Sequence, residues 1–188
     1  MVLAPNKAAP ADKDKEQKFT PGPAASYPSH QASEQITIGV KAYFDDEENK
    51  PIFGKKNPYN YGVLPVLVVI QNDSSKTIRV SPLEVAWMGP NHNRTDATPA
   101  KDVRYLGPIQ QPDVTGRPKI ISHKNPLDNW EIEGHAFSAV MLPPGQSASG
   151  FFYFQTGYQR GSSLYLSGLK EAQSGRELLY FEIPVVEK

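Results

Sequence analysis

Four histidines, one acidic run and a scatter of tyrosines are the side chains in this 188-residue sequence whose types could support chemistry. His30, His92, His123 and His135 lie in the N-terminal segment or in turn-rich sequence. No two of them have the i, i+4 spacing that turns a pair of imidazoles toward one zinc ion. Asp45, Asp46, Glu47, Glu48 and Asn49 offer the oxygen ligands a hard cation needs. A calcium loop alternates such ligands around a central glycine, and this run does neither, so it reads as a solvated turn. The absence of cysteine removes disulfides, thiolate metal sites and cysteine nucleophiles. Gly161-Ser162-Ser163 falls between two extended runs, not at a strand-to-helix elbow, and no phosphate-binding or dinucleotide glycine pattern occurs. The sequence therefore assigns no catalytic, metal or cofactor-binding residue, and the expectation is a protein that is not an enzyme.

The aromatic side chains point instead to contact. Tyr43, Tyr153, Tyr165 and Tyr180 lie in extended runs beside apolar neighbours. Alternation places Tyr153, Tyr165 and Tyr180 opposite those neighbours, on the outer face of a sheet. An amphipathic aromatic on a half-wet face serves cross-strand pairing, or anchors a partner or a sugar ring. Tyr59 and Tyr61 sit in the loop KKNPYNYG, among Asn, Pro and Gly. Trp130 is the large aromatic of an irregular stretch, either packing as a lid on the sandwich edge or meeting a ligand. The expected interaction surface is thus Tyr153, Tyr165, Tyr180, Trp130, Tyr59 and Tyr61. Its expected occupant is another protein, with a glycan as the alternative.

The elements that must carry these side chains are strands. Residues 147–186 hold three extended runs in which Phe152, Phe154, Leu164, Leu166, Leu179 and Phe181 recur on one face. GYQRGSS and EAQSGR separate the runs with Gly and Ser, so the segment reads as an antiparallel meander. Ile36, Ile38, Val40, Ala42 and Phe44 form one face of an earlier strand. VLPVLVVIQ, residues 63–71, is apolar almost throughout, as a strand buried on both faces must be. Thr77–Val80 and Leu83–Met88 are two further strands. Thr98-Pro99 opens a short helix to about Leu106, and Ile120-Ile121 is a weak strand candidate within an irregular insertion spanning residues 89–135. The fold class expected is all-β: an immunoglobulin-like antiparallel sandwich over residues 35–188, of about seven to nine strands.

Residues 1–34 are rich in Ala, Pro, Ser, Lys and Asp, with Phe19 and Tyr27 as their aromatics. Such a segment buries too little apolar surface to offset backbone ordering, and it reads as a disordered tether. Twenty basic residues balance 20 acidic ones, which gives no basic footprint for nucleic acid. No apolar run reaches bilayer-spanning length, and Met1 to Leu3 do not continue into the apolar core of an export signal.

Two stretches, PVLVVIQNDSSKTIRVSPLEVAW at residues 65–87 and LPPGQSASGFFYF at residues 142–154, resemble the bacterial immunoglobulin-like, telokin-like domains of unknown function found in exported proteins and lipoproteins. In those domains a buried strand ends in Asn before a hairpin, and a PGQS segment opens the last sheet. The resemblance implies a turn at Pro143 to Gly145, core positions for Phe152 and Phe154, and an extracytoplasmic protein held behind a low-complexity linker. It implies no active residues. The sequence departs from the lipoprotein pattern in having no lipobox cysteine.

Overall fold

The computed structural model describes residues 19–107 and 125–187. Within them eleven strands form three antiparallel sheets: β1 (Ser29–Ser33), β2 (Ile36–Ala42), β3 (Leu64–Asn72), β4 (Ile78–Arg79), β5 (Glu84–Met88), β6 (Arg94–Asp96), β7 (Met141–Leu142), β8 (Ser147–Phe154), β9 (Ser163–Ser167), β10 (Lys170–Glu171) and β11 (Phe181–Pro184). The first sheet runs β1-β2-β3-β8 and the second β11-β9-β5-β6. A small third sheet, β10-β4-β7, lies where β3 ends and β8 begins. The class is all-β and the arrangement an antiparallel sandwich.

The main core lies between the two larger sheets. Ile36, Ile38 and Val40 of β2 and Leu64, Val66, Val68 and Ile70 of β3 face Val85, Trp87, Leu164, Leu166, Phe181 and Ile183. The run predicted to be buried on both faces is so for a specific reason. A second core covers the other side of the first sheet, where Val63, Leu67, Val69, Phe151 and Tyr153 pack beneath α1 (Asp46–Phe53) and α2 (Asn129–His135). Ile52 and Phe53 of α1, Ile132 of α2, Val103 of a 3-10 turn at Ala100–Tyr105, and Ala24 complete this layer. The first sheet is therefore enclosed on both faces, and the second only on its inner one.

Several expectations are corrected. Residues 147–186 are not a meander: β8 pairs with β3, whereas β9 pairs with β5 and β11, so the chain crosses between sheets at residues 155–162. Both faces of β8 are apolar, which suits a place between two cores better than one beside β9. Leu179 lies outside β11 and is exposed, and Leu178 takes the core position instead. The acidic run is not a turn. Asp45 caps α1 by accepting from the Glu47 amide at 2.8 Å, and Asp46, Glu47 and Glu48 fill a first turn whose dipole favours carboxylates. α2 lies in the insertion read as irregular, capped by Asp128. The short helix read from Thr98 is a 3-10 turn, and Ile120-Ile121 lies outside the described residues.

The tether also ends earlier than residue 34. β1 pairs with β2 over Ser29–Ser33, and its polar side chains reach the second sheet. Ser29 Oγ accepts from the Val186 amide at 2.9 Å, and Gln31 Oε1 accepts from the Glu182 amide at 3.2 Å. No apolar alternation announces such a strand, because hydrogen bonds rather than burial hold it. Upstream, Phe19 packs edge-on to Tyr43, with ring centroids 6.3 Å apart, and Tyr27 lies over Gly39. A Cβ at Gly39 would stand 2.4 Å from the Ala24 carbonyl oxygen, so only glycine admits this crossing.

Asn72, fully buried, ties three segments together at the end of β3. Its Nδ2 donates to the Lys76 and Leu142 carbonyls at 2.8 and 2.9 Å, and its Oδ1 accepts from the Ser74 amide and hydroxyl. Its backbone binds Gln146 O and Gly145 N, fixing the turn at Pro143–Gln146. Asn72→Ala removes the Nδ2 donor shared by the Lys76 and Leu142 carbonyls, leaving the Ser74 hydroxyl on the former, and is expected to lower unfolding free energy by about 1–3 kcal/mol. Urea denaturation reads this as a lower midpoint at unchanged slope, and a shift below about 0.5 kcal/mol contradicts the assignment.

Candidate functional site

Tyr165 and Tyr180 are the two expected surface residues that the fold brings together. On β9, Leu164 and Leu166 point into the core, so Ser163, Tyr165 and Ser167 point out. Phe181 points in, so Tyr180, one residue before β11, points out with Glu182. The two rings stack with centroids 5.6 Å apart and planes 28° from parallel. Across β5, Ala86 lies opposite both Tyr165 and Asp96, and its small side chain leaves room for a neighbour to lean over. Arg94 does so: its guanidinium carbon is 5.5 Å from the centre of the Tyr165 ring, and its Nε donates to Asp96 at 2.7 Å. Met88 and Ser163 share the Arg94 row, and Glu84 pairs with Ser167 one row further on. The result is a water-facing sheet with an aromatic stack, one guanidinium and carboxylates at its margins.

The other expected surface residues serve elsewhere. Tyr153 is buried, because α2 covers its side of the sheet; its hydroxyl donates to the Ile132 carbonyl at 2.7 Å, and burial raises its pKa far above the ordinary value. Tyr43 is buried in the same layer, and burial raises its pKa as well. Tyr59 closes one end of the main core: its hydroxyl accepts from the Tyr158 amide at 3.1 Å and its ring lies 6.2 Å from Phe44. Tyr61 is half-buried against the second core. Trp130 is 83% exposed on α2, so it is not a lid on the sandwich edge; it stands apart from the Tyr165–Tyr180 face.

The remaining chemistry-bearing groups are joined to one another. A cleft of about 590 Å³ is lined by Tyr27, Lys41, Tyr43, Asp45, Glu48 and Val186. Its one cation, Lys41, donates to Glu48 at 2.7 Å and lies 4.8 Å from the centre of the Tyr43 ring. Buried Glu171 accepts from Lys76 at 2.7 Å, Ser174 at 2.6 Å and Arg176 at 2.8 Å, which together pull its pKa down to about 2. Arg176 also reaches Glu34 at 2.7 Å, so one guanidinium fastens the β1–β2 turn to the segment after β10. Among the described residues no three or more His, Asp or Glu side chains gather as metal ligands, and His123 lies outside them. No family model matches the chain, and a search of curated proteins returns no match.

Arg94, Asp96 and Met88 were not singled out by their types or spacing. Alternation along Glu84–Met88 marks Met88 as outward once the sheet is known. β6 has no such mark, being three polar residues in the stretch read as irregular.

Two outcomes separate structural from surface tyrosines. Tyr153→Phe leaves the Ile132 carbonyl unpaired and is expected to cost about 1–3 kcal/mol in urea denaturation, while Tyr180→Ala stays within about 0.5 kcal/mol of the parent. The Glu171 carboxyl titrates lower in the folded protein than its ordinary 4.5, so its contribution is complete above that value and is lost as pH falls through about 2. Glu171→Gln is therefore expected to flatten the fall in stability between pH 4.5 and 2, measured by urea midpoints; an unchanged acid slope contradicts it.

Proposed function

We propose that this protein is a non-enzymatic binding or structural module that docks another protein on the outer face of the β11-β9-β5-β6 sheet, through Tyr165 and Tyr180. The observation that carries this reading is the stacked tyrosine pair left facing water on a sheet whose opposite face is the main core. Exposed aromatics on a rigid sheet anchor interfaces with little ordering cost, because few torsions must be fixed. Glu171, Glu34 and Tyr153 fit the same reading, since each is tied to a structural neighbour.

A glycan is the less favoured occupant. A sugar-binding platform offers open ring faces, whereas Tyr165 already contacts Tyr180 and Arg94. The setting we assign, outside the cytoplasm as an accessory subunit of a cell-envelope complex tethered through its N-terminal segment, rests on the likeness of residues 65–87 and 142–154 to exported immunoglobulin-like domains.

A photo-crosslinking amino acid at position 180, with position 55 in a loop far along the chain as the control, tests the docking face in cells. The expected result is a discrete protein adduct from position 180, recovered in the envelope fraction and lost on Tyr165→Ala. Equal labelling from both positions, or an adduct confined to the cytoplasmic fraction, contradicts the docking face or the location respectively.

A further inference from the structure

We infer that the partner segment received by the Tyr165–Tyr180 face is cationic, presenting arginine or lysine side chains; this rests on the docking face proposed above. The outward rows of the sheet carry Glu84, Asp96 and Glu182 against a single cation, Arg94. Arg94 is itself paired with Asp96 at 2.7 Å. Glu84 and Glu182 are exposed, and among the described residues neither has an ion-pair partner; Glu182 accepts only from the Ser163 hydroxyl, at 3.2 Å. Two cations in neighbouring segments are engaged elsewhere, Arg160 with Glu187 at 3.1 Å and Lys170 with Glu177 at 3.6 Å. The face thus keeps two unpaired carboxylates on either side of an aromatic stack.

This combination selects a cation twice. The faces of tyrosine rings attract a guanidinium or ammonium through their quadrupole, and flanking carboxylates supply the complementary charge. Arg94 over Tyr165 is an example within the protein of the contact the face accepts. A partner arginine takes the corresponding place on Tyr180, which is 57% exposed, with Glu182 two residues along the chain to pair it. Glu84, on the row beyond Tyr165, receives a second cation two strands away. An acidic partner meets two uncompensated carboxylates, and a neutral one leaves them without a gain.

The experiment titrates the full chain with three fluorescent peptides of equal length: one carrying spaced arginines, one with citrulline in their place, and one with glutamate. Binding of the arginine peptide alone is expected, weakening with added salt as an exposed charge contact does. Tyr180→Ala is expected to weaken it roughly fivefold, and the Glu84→Lys/Glu182→Lys double variant more than about tenfold. All three side chains are exposed, and thermal melts of the variants confirm that the fold is retained. Equal binding of the arginine and citrulline peptides, or arginine-peptide binding untouched by these substitutions, overturns the inference. If position 180 crosslinks a partner in cells while the arginine peptide does not bind, the cationic partner is wrong and the docking face stands. If neither occurs, both fall.

Discussion

Enclosure of one sheet on both faces is the constraint from which the rest of the structure follows. β3 is apolar on alternate and intervening positions alike, so a two-layer sandwich would leave Leu67 and Val69 in water. Burying such side chains is worth roughly 1.5–3 kcal/mol each, and covering them needs a further layer. α1, α2 and the 3-10 turn at Ala100–Tyr105 supply it, with Ile52, Phe53, Ile132 and Val103 as the covering groups. That layer also draws in Tyr43 and Tyr153, which a two-layer fold would have left on the surface. The second sheet has no such cover, and its outer face leaves Tyr180 exposed and Tyr165 partly so.

Polar groups set the ends and edges of this arrangement. Asn72 satisfies both of its side-chain atoms while joining β3, the loop between β3 and β4, and the turn into β8. Glu171, Lys76, Arg176 and Glu34 form a chain of ion pairs beside it. At the free edge of β8, the Tyr153 and Phe151 carbonyls accept from Thr98 and Phe137, so the strand offers little ladder for another chain to join. At the opposite edge, β1 is fastened to β11 by Gln31 and to Val186 just beyond it by Ser29. With these positions occupied, the Tyr165–Tyr180 face combines large side chains, open charge and a rigid sheet among the described residues.

The strands with an apolar rhythm were legible in the sequence: β2, β3, β5, β8 and β9 lie where alternation or continuous apolarity placed them. The pairing was not. Alternation says which side chains share a face but not which strand lies alongside, so β8 looked like the neighbour of β9 although its two apolar faces belong to two cores. β1 and β6 are polar strands held by hydrogen bonds and ladders, and they carry no periodic signal. α1 was hidden because its first turn is acidic and Pro51 lies within it; the capping role of Asp45 was the available clue. At the candidate site, Tyr165 and Tyr180 followed from period two alone. Tyr153 obeyed the same period and was misplaced, because period cannot tell water from a third layer.

Hydroxyl-radical footprinting of the folded protein, read tyrosine by tyrosine, tests the three-layer account most directly. The account predicts rapid oxidation of Tyr180, measurable oxidation of Tyr165, and protection of Tyr153 and Tyr43 until the chain unfolds. Oxidation of Tyr153 at the rate of Tyr180 in the native protein would mean that the covering layer is absent, and the account would be wrong.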